Sequence, residues 1–186
     1  MSHTLAIDLG GTKIASAYFD TSMQMSDYQT RPLEQYTLAY IRAQLQRITE
    51  HYWRDDIARI GISMNGLISS NRIVFSRLCG GDVDRHISEL ISLPRSVPII
   101  IDNDVHCMCR GVQQDMPELA ASSYALINIG TGLRVSVWSG EGILSGADGF
   151  AGEVRDDVDV LELGETVNLN NLICGRGISN IYAKLT

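Results

Sequence analysis

The chain has 186 residues, 45% of them hydrophobic and 20% charged, with a net charge of −7. That is ordinary globular composition, with room for one good core or two small lobes. No local basic patch offsets the acidity, since Lys13 and Lys184 are the only lysines and the arginines are scattered; a nucleic-acid surface is therefore not expected. No apolar run approaches the roughly 20 residues of a membrane span. The start lacks a basic stretch leading into an apolar one, and a cytoplasmic location is the expectation.

In chain order, apolar stretches at 4–7 and 14–19 flank Gly10-Gly11 and predict a β-hairpin. Residues 23–31 predict a third strand, broken by Pro32. Leu38, Ile41, Leu45, Ile48 and Tyr52 recur at three- and four-residue steps and predict a helix over 33–53. Residues 59–63 predict a short strand ending in a Met64-Asn65-Gly66 turn, and 73–75 a small strand. Val83, Ile87 and Leu90 suggest a second helix, started by Asp82 and stopped by Pro94. The β-branched run 97–101 predicts a buried strand of a parallel pair, followed by a short helix carrying Val105, Met108 and Val112. A loop over 115–123 with Pro117 marks a lobe boundary, giving domains 1–118 and 119–186.

The pattern then restarts. Strands at 124–129 and 134–138 flank Gly130-Thr131-Gly132, a turn at 139–142 leads into a strand begun at 143–146, and a helix is predicted near 167–173. The turn Cys174-Gly175-Arg176-Gly177 precedes a final helix to Leu185. The same glycine-turn device used twice suggests two similar lobes facing a cleft.

The glycine turns carry the first chemical reading. Glycines let backbone N–H groups converge on a small anion such as a phosphate, Asp8 suits a metal or its water, and Thr12 and Lys13 add a hydroxyl and a positive charge. An ordinary hairpin with a solvated Asp and Lys has the same pattern. Gly130-Thr131-Gly132 offers a second set of donors, and two such turns facing each other suit the tail of a nucleotide with Mg²⁺ between them. Neither GxxxxGK[ST] nor GxGxxG is present, which argues against a P-loop NTPase and a Rossmann dehydrogenase.

Asp104 follows an apolar strand, the place where α/β folds bind ligands, and its carboxylate suits acceptance of a proton from a substrate hydroxyl. Asn103 beside it suits hydrogen bonds to neighbouring hydroxyls, although Asp102-Asn103-Asp104 also reads as a plain helix cap. Asn65-Gly66 presents an amide or a backbone donor, or is a structural turn. The loop 149–153 ends in Glu153, a carboxylate within reach of a polyol, or is plain surface. The acidic run through Asp156, Asp157, Asp159, Glu162 and Glu165 reads as a solvated face. The four cysteines read as small apolar residues rather than disulfides, and His106-Cys107-Met108-Cys109 lacks the second ligand pair of a zinc site.

Taken together, these motifs resemble the ROK family of bacterial sugar kinases and related repressors, within the sugar kinase–heat-shock chaperone–actin superfamily. Ala6-Ile7-Asp8-Leu9-Gly10-Gly11-Thr12-Lys13 resembles its first phosphate motif and Ile129-Gly130-Thr131-Gly132 its second. Ile60-Gly61-Ile62-Ser63-Met64-Asn65-Gly66-Leu67 is similar to its sugar-side loop, and Ile101-Asp102-Asn103-Asp104-Val105 to the segment holding the catalytic aspartate. The loop at 149–153 resembles the one whose Glu binds sugar, and Cys174-Gly175-Arg176-Gly177-Ile178 the Ser-Gly-Arg-Gly turn that follows.

The resemblance implies an α/β chain of the ribonuclease-H-like, actin-like ATPase type, with an incomplete second lobe of the same type. It implies ATP- and Mg²⁺-dependent phosphorylation of a hexose or amino sugar. Asp104 is then the base and Asn65, Gly66, Asn103, Glu153, Asp156 and Asn170 the sugar side. Asp8, Gly10, Gly11, Thr12, Lys13, Gly130, Thr131 and Gly132 hold the nucleotide, with Asp8 toward Mg²⁺.

Departures accompany the match. Asp156 stands where the family has a His, Asn170 where it has a second sugar-binding Glu, and Arg134 where it has a small residue. The Cys-rich zinc motif is missing, so no zinc is expected. Relatives run to roughly 300 residues, so the remainder of the nucleotide lobe is expected from elsewhere: a homo-oligomer or a partner chain covering the truncated edge. No DNA-binding domain precedes Asp8, which points away from the repressors. The alternative reading is a sugar-binding or regulatory relative that has lost turnover.

Overall fold

The computed structural model describes residues 2–146, 151–152, 154, 157–160 and 165–185. The chain divides into two compact units, Met1–Asp104 and Val105–Thr186.

In the first unit β1 (His3–Leu9) and β2 (Lys13–Phe19) form the antiparallel hairpin, Leu9 opposite Ile14. β3 (Met25–Pro32) adds to β2 as an edge strand. The register slips between Ser16 and Tyr18, where Asp27 takes a left-handed φ of 53°. α1 (Leu38–Tyr52) follows; the Thr37 side chain caps it by accepting from the Tyr40 N–H at 3.2 Å. β4 (Ile57–Met64) then returns parallel to β1.

A three-stranded antiparallel arm comes next: β5 (Leu67–Ser69), β6 (Arg72–Ser76) and β7 (Gly81–His86), with 3-10 turns over Arg77–Cys79 and Ile87–Glu89. β8 (Ile99–Asn103) closes the unit parallel to β4, so the main sheet runs β3-β2-β1-β4-β8. Alternating Leu5, Ile7 and Leu9 of β1, Ile60, Ile62 and Met64 of β4, and the helical stripe Ile41, Leu45, Ile48 and Tyr52 share one core, joined by Ile73, Leu78 and Ile87 of the arm. Period two on the strands and three-to-four on the helix turn those apolar faces together.

Three expectations in this unit are corrected. The helix predicted over 82–94 is β7 plus a 3-10 turn. Gly80 and Gly81 have φ of 89° and 130°, Asp84 is left-handed, and the strand pairs with β6; these break the helical dihedrals that three spaced apolar residues suggested. α1 starts at Leu38 rather than 33 because Leu33 instead donates its N–H to the Thr12 carbonyl at 2.9 Å. β8 is an edge strand rather than a buried one, and Ile100 is 54% exposed.

The second unit's α2 (Asp104–Asp115) begins on the last residue of the first unit, and a 3-10 turn spans Pro117–Leu119. β9 (Ser123–Ile129) and β10 (Leu133–Ser139) form an antiparallel hairpin across Gly130-Thr131-Gly132. β11 (Asp157–Val160) pairs with β12 (Glu165–Asn168), followed by α3 (Leu169–Ile173) and α4 (Gly175–Leu185). Here the strand expected from 143 reduces to one bridge, Ile143 to Trp138. The helix expected near 167–173 shares its span with the end of β12, and the glycines at 175 and 177 open α4 rather than forming a free turn. No helix among the described residues is long and apolar enough to cross a membrane.

Candidate active site

Parallel pairing sets the site. β1, β4 and β8 run the same way, and their registers place Asp8, Ser63 and Asp102 in one row, with Leu9, Met64 and Asn103 in the next. The carboxyl ends of three strands thus finish at one sheet edge, where α/β proteins bind ligands. The loops that leave this edge carry Gly10-Gly11-Thr12, Asn65-Gly66 and Asp104.

Two side-chain amides stitch the loops together. Asn65 Nδ2 donates to Asp104 Oδ2 at 3.3 Å, and Asn103 Nδ2 donates to the Gly66 carbonyl at 2.9 Å. Asp104, half-buried at the start of α2, is therefore held by a neighbour from a loop 39 residues away. Gly66 has φ of 151°, and a Cβ there would collide with the Phe75 carbonyl oxygen. Glycine is required on both counts. The Ser76 hydroxyl donates to the Asn65 carbonyl at 2.6 Å while accepting from the Leu78 N–H, so the arm pins the Asn65-Gly66 loop. Asn71, at a left-handed φ of 60°, accepts from the Ile101 N–H at 3.0 Å and secures β8 just before the aspartates.

On the other side of β1, Asp8 Oδ1 accepts from Ser63 Oγ at 2.8 Å. The turn after it closes by a Gly10 N–H bond to the Lys13 carbonyl at 3.0 Å. The Tyr36 hydroxyl donates to the Gly11 carbonyl at 2.9 Å. Thr12 and Lys13 are exposed. Such a turn, with a carboxylate behind it and a cation beside it, suits phosphate oxygens with a hydrated divalent cation.

The first unit thus brings together Asp8, Gly10, Gly11, Thr12 and Lys13 along one sheet edge with Asn65, Gly66, Asn103 and Asp104. In the second unit the Gly130 N–H donates to the Gly132 carbonyl, and the Gly130 carbonyl accepts from the Gly175 N–H at 2.9 Å, which fastens the turn to the start of α4. Thr131 at its tip is exposed. Glu153, Asp156 and the side chain of Asn170 lie outside the described residues. No group of three or more His, Cys, Asp or Glu able to hold a metal occurs among the described residues.

Sequence reasoning missed Ser63, Ser76, Asn71 and Tyr36. Each is a lone polar side chain whose partner lies 11 to 55 residues away. Ser63 carried the best available signal, as a polar residue ending an apolar strand.

Two groups near these elements have displaced titrations. Burial pushes the Cys79 thiol up to about 11, with a Ser76 hydrogen bond pulling the other way. In the second unit Tyr124 is pushed up to about 12 by burial and then by its side-chain hydrogen bond with the Cys109 thiol.

Comparison with known proteins gives a consistent picture. A model described as the ROK family matches residues 4–155. The chain is 24% identical over 178 residues to a glucokinase of Halalkalibacterium halodurans, covering 91% of this chain and 54% of that protein. It is 28% identical over 156 residues to an N-acetylmannosamine kinase of Vibrio cholerae, covering 81% and 53%. The structure of a ROK family glucokinase from Streptomyces griseus in complex with glucose and AMPPNP superposes with a TM-score of 0.74 at 20% identity, covering 99% of this chain and 61% of that one. The chain spans about half the length of the curated relatives it matches. The structural likeness gives the fold as the actin-like ATPase type expected from the motifs.

Proposed function

The chain belongs to the ROK family, and on that premise we propose that it serves ATP-dependent phosphorylation of a hexose or amino sugar, with Asp104 as the base. The observation that carries this is the Asn65–Asp104 hydrogen bond at the carboxyl edge of β1, β4 and β8. It holds a carboxylate at the mouth of the parallel strands, beside a glycine turn suited to phosphate. Asp104 accepts the proton of the attacking sugar hydroxyl, and the amide from Asn65 orients its carboxylate. Asn103 and the Gly66 backbone bound the sugar side; Glu153, Asp156 and Asn170 are assigned to sugar binding on the family resemblance alone.

The turn of Gly10, Gly11, Thr12 and Lys13 takes phosphate oxygens through backbone N–H groups and the lysine charge. Gly130, Thr131 and Gly132 form the matching turn of the second unit. Asp8 fits a hydrated Mg²⁺: Ser63 occupies Oδ1, and one carboxylate plus substrate phosphates is a usual magnesium arrangement. When bound, Mg²⁺ supplies charge neutralisation at the phosphates. The residues here contribute mainly position and charge, as phosphoryl transfer requires.

Titration calorimetry with MgATP and a panel of hexoses and N-acetylhexosamines, with coupled turnover assays, tests it. Asp104→Ala is expected to keep sugar binding and lose about 10²–10⁴-fold in turnover. Sugar binding without any nucleotide binding would instead favour the regulatory alternative.

A further inference from the structure

We propose that Tyr36, in the loop between β3 and α1, is a positioning residue that aims the phosphate turn. Its ring is half exposed, yet its hydroxyl is committed at 2.9 Å to the Gly11 carbonyl. Three residues earlier, the Leu33 N–H takes the next carbonyl, that of Thr12, at 2.9 Å. One segment therefore grips two consecutive carbonyls of the turn.

The consequence follows from peptide geometry. No cis peptide bond occurs among the described residues, and in a trans peptide the C=O and the following N–H point in opposite directions within one plane. A Gly11 carbonyl drawn to Tyr36 turns the Thr12 N–H away from Tyr36, out of the strap and free of competition from it. In a glycine-rich turn, whose peptide planes rotate easily, that choice of face is otherwise unpinned. The strap converts a mobile plane into a preset donor, and preorganised donors are the ones worth most to a charged ligand.

The strap is itself braced from the sugar side. The Tyr36 carbonyl packs against Gly80, where a Cβ would stand 3.3 Å away and φ is 89°. Gly80 ends the 3-10 turn over Arg77–Cys79, whose cap Ser76 holds the Asn65 carbonyl. A continuous line of contacts runs from the loop that holds Asp104 to the turn that faces phosphate, all within the first unit.

The ligand half of this inference rests on the phosphate-turn reading above; the strap itself does not. Tyr36→Phe removes the hydroxyl and keeps the ring. In the ligand-free full chain, hydrogen–deuterium exchange of the Gly10 and Leu33 amides, which are hydrogen-bonded to the Lys13 and Thr12 carbonyls of the turn, should rise about five-fold, the usual worth of one hydrogen bond, with an unchanged thermal midpoint. Affinity for Mg-AMPPNP, read by calorimetry, should fall by a similar factor while sugar affinity holds. Tyr36→Leu, which also removes the ring, should match Tyr36→Phe in exchange of these amides. Unchanged exchange in Tyr36→Phe overturns the strap. Faster exchange in a protein whose wild type binds no Mg-AMPPNP upholds the strap and overturns the phosphate reading. Equal nucleotide affinity in both proteins overturns the positioning role.

Discussion

In the proposed reaction Asp104 depends on the orientation that the Asn65 amide gives its carboxylate. Asn65→Ala leaves the carboxylate without the 3.3 Å amide bond, and the expected result is about a fivefold fall in kcat, from the loss of roughly 1 kcal/mol of ordering. The thermal midpoint should stay near wild type, because Asn65 is half-buried at a loop and outside the core. Steady-state kinetics beside a thermal melt checks both halves. The residue scale is also where the sequence was least forthcoming. Asp104 was legible because a β-branched run must end somewhere and an acidic trio marks the end. Ser63 and Tyr36 were not legible, since a lone hydroxyl has no periodicity, and its value depends on a partner 25 or 55 residues away that only folding supplies.

Among elements, α1 should show a cap and a core that are worth different amounts. Thr37→Ala removes the acceptor for the Tyr40 N–H and is expected to lower stability by about 1 kcal/mol. Leu45→Ala empties a fully buried position and is expected to lower it by about 2–5 kcal/mol. Equilibrium urea unfolding of the two variants separates them. The hairpin of β1 and β2, the stripe of α1 and the pairing of β9 with β10 were readable, because long, regular alternation leaves one solution for burial. β7 was not readable. Val83, Ile87 and Leu90 have helical spacing, but the strand ladder with β6 and the His86–Glu89 capping box divide them between two elements. Three residues are too few for periodicity to outweigh tertiary pairing. Likewise, α1 begins five residues later than its apolar pattern allowed, because Leu33 and Tyr36 are engaged with the turn after β1.

For the molecule as a whole, stability should fall at alkaline pH, with Cys79 contributing a definable share. Its folded titration near 11 lies above the ordinary 9.0, so the unfolded chain gives up the proton first. The contribution is intact below about pH 9 and is lost as pH climbs through about 11. Chemical denaturation at stepped pH should show a shallower alkaline decline in Cys79→Ala than in wild type. Tyr18, also raised by burial, contributes equally to both proteins and cancels in the comparison. A second expectation at this scale concerns assembly. Ile127 and Ile129, on one face of β9, are 63% and 55% exposed, and neighbouring apolar side chains of that size favour burial against another surface. Sedimentation velocity over a rising concentration series should show self-association; a single monomer boundary at every concentration would count against it.

β3 has one more consequence. It is the outermost strand on its side of the sheet, and exposed strands of that kind are templates for stacking into fibres. Here the template is spoiled from within. The backward kink at Asp27 breaks the spacing of its outward groups, the Tyr52 hydroxyl already occupies the Asp27 carbonyl, and Pro32 offers no N–H. An incoming strand finds no unbroken row to copy, so the kink that looks like an irregularity of folding makes this rim a poorer template for stacking.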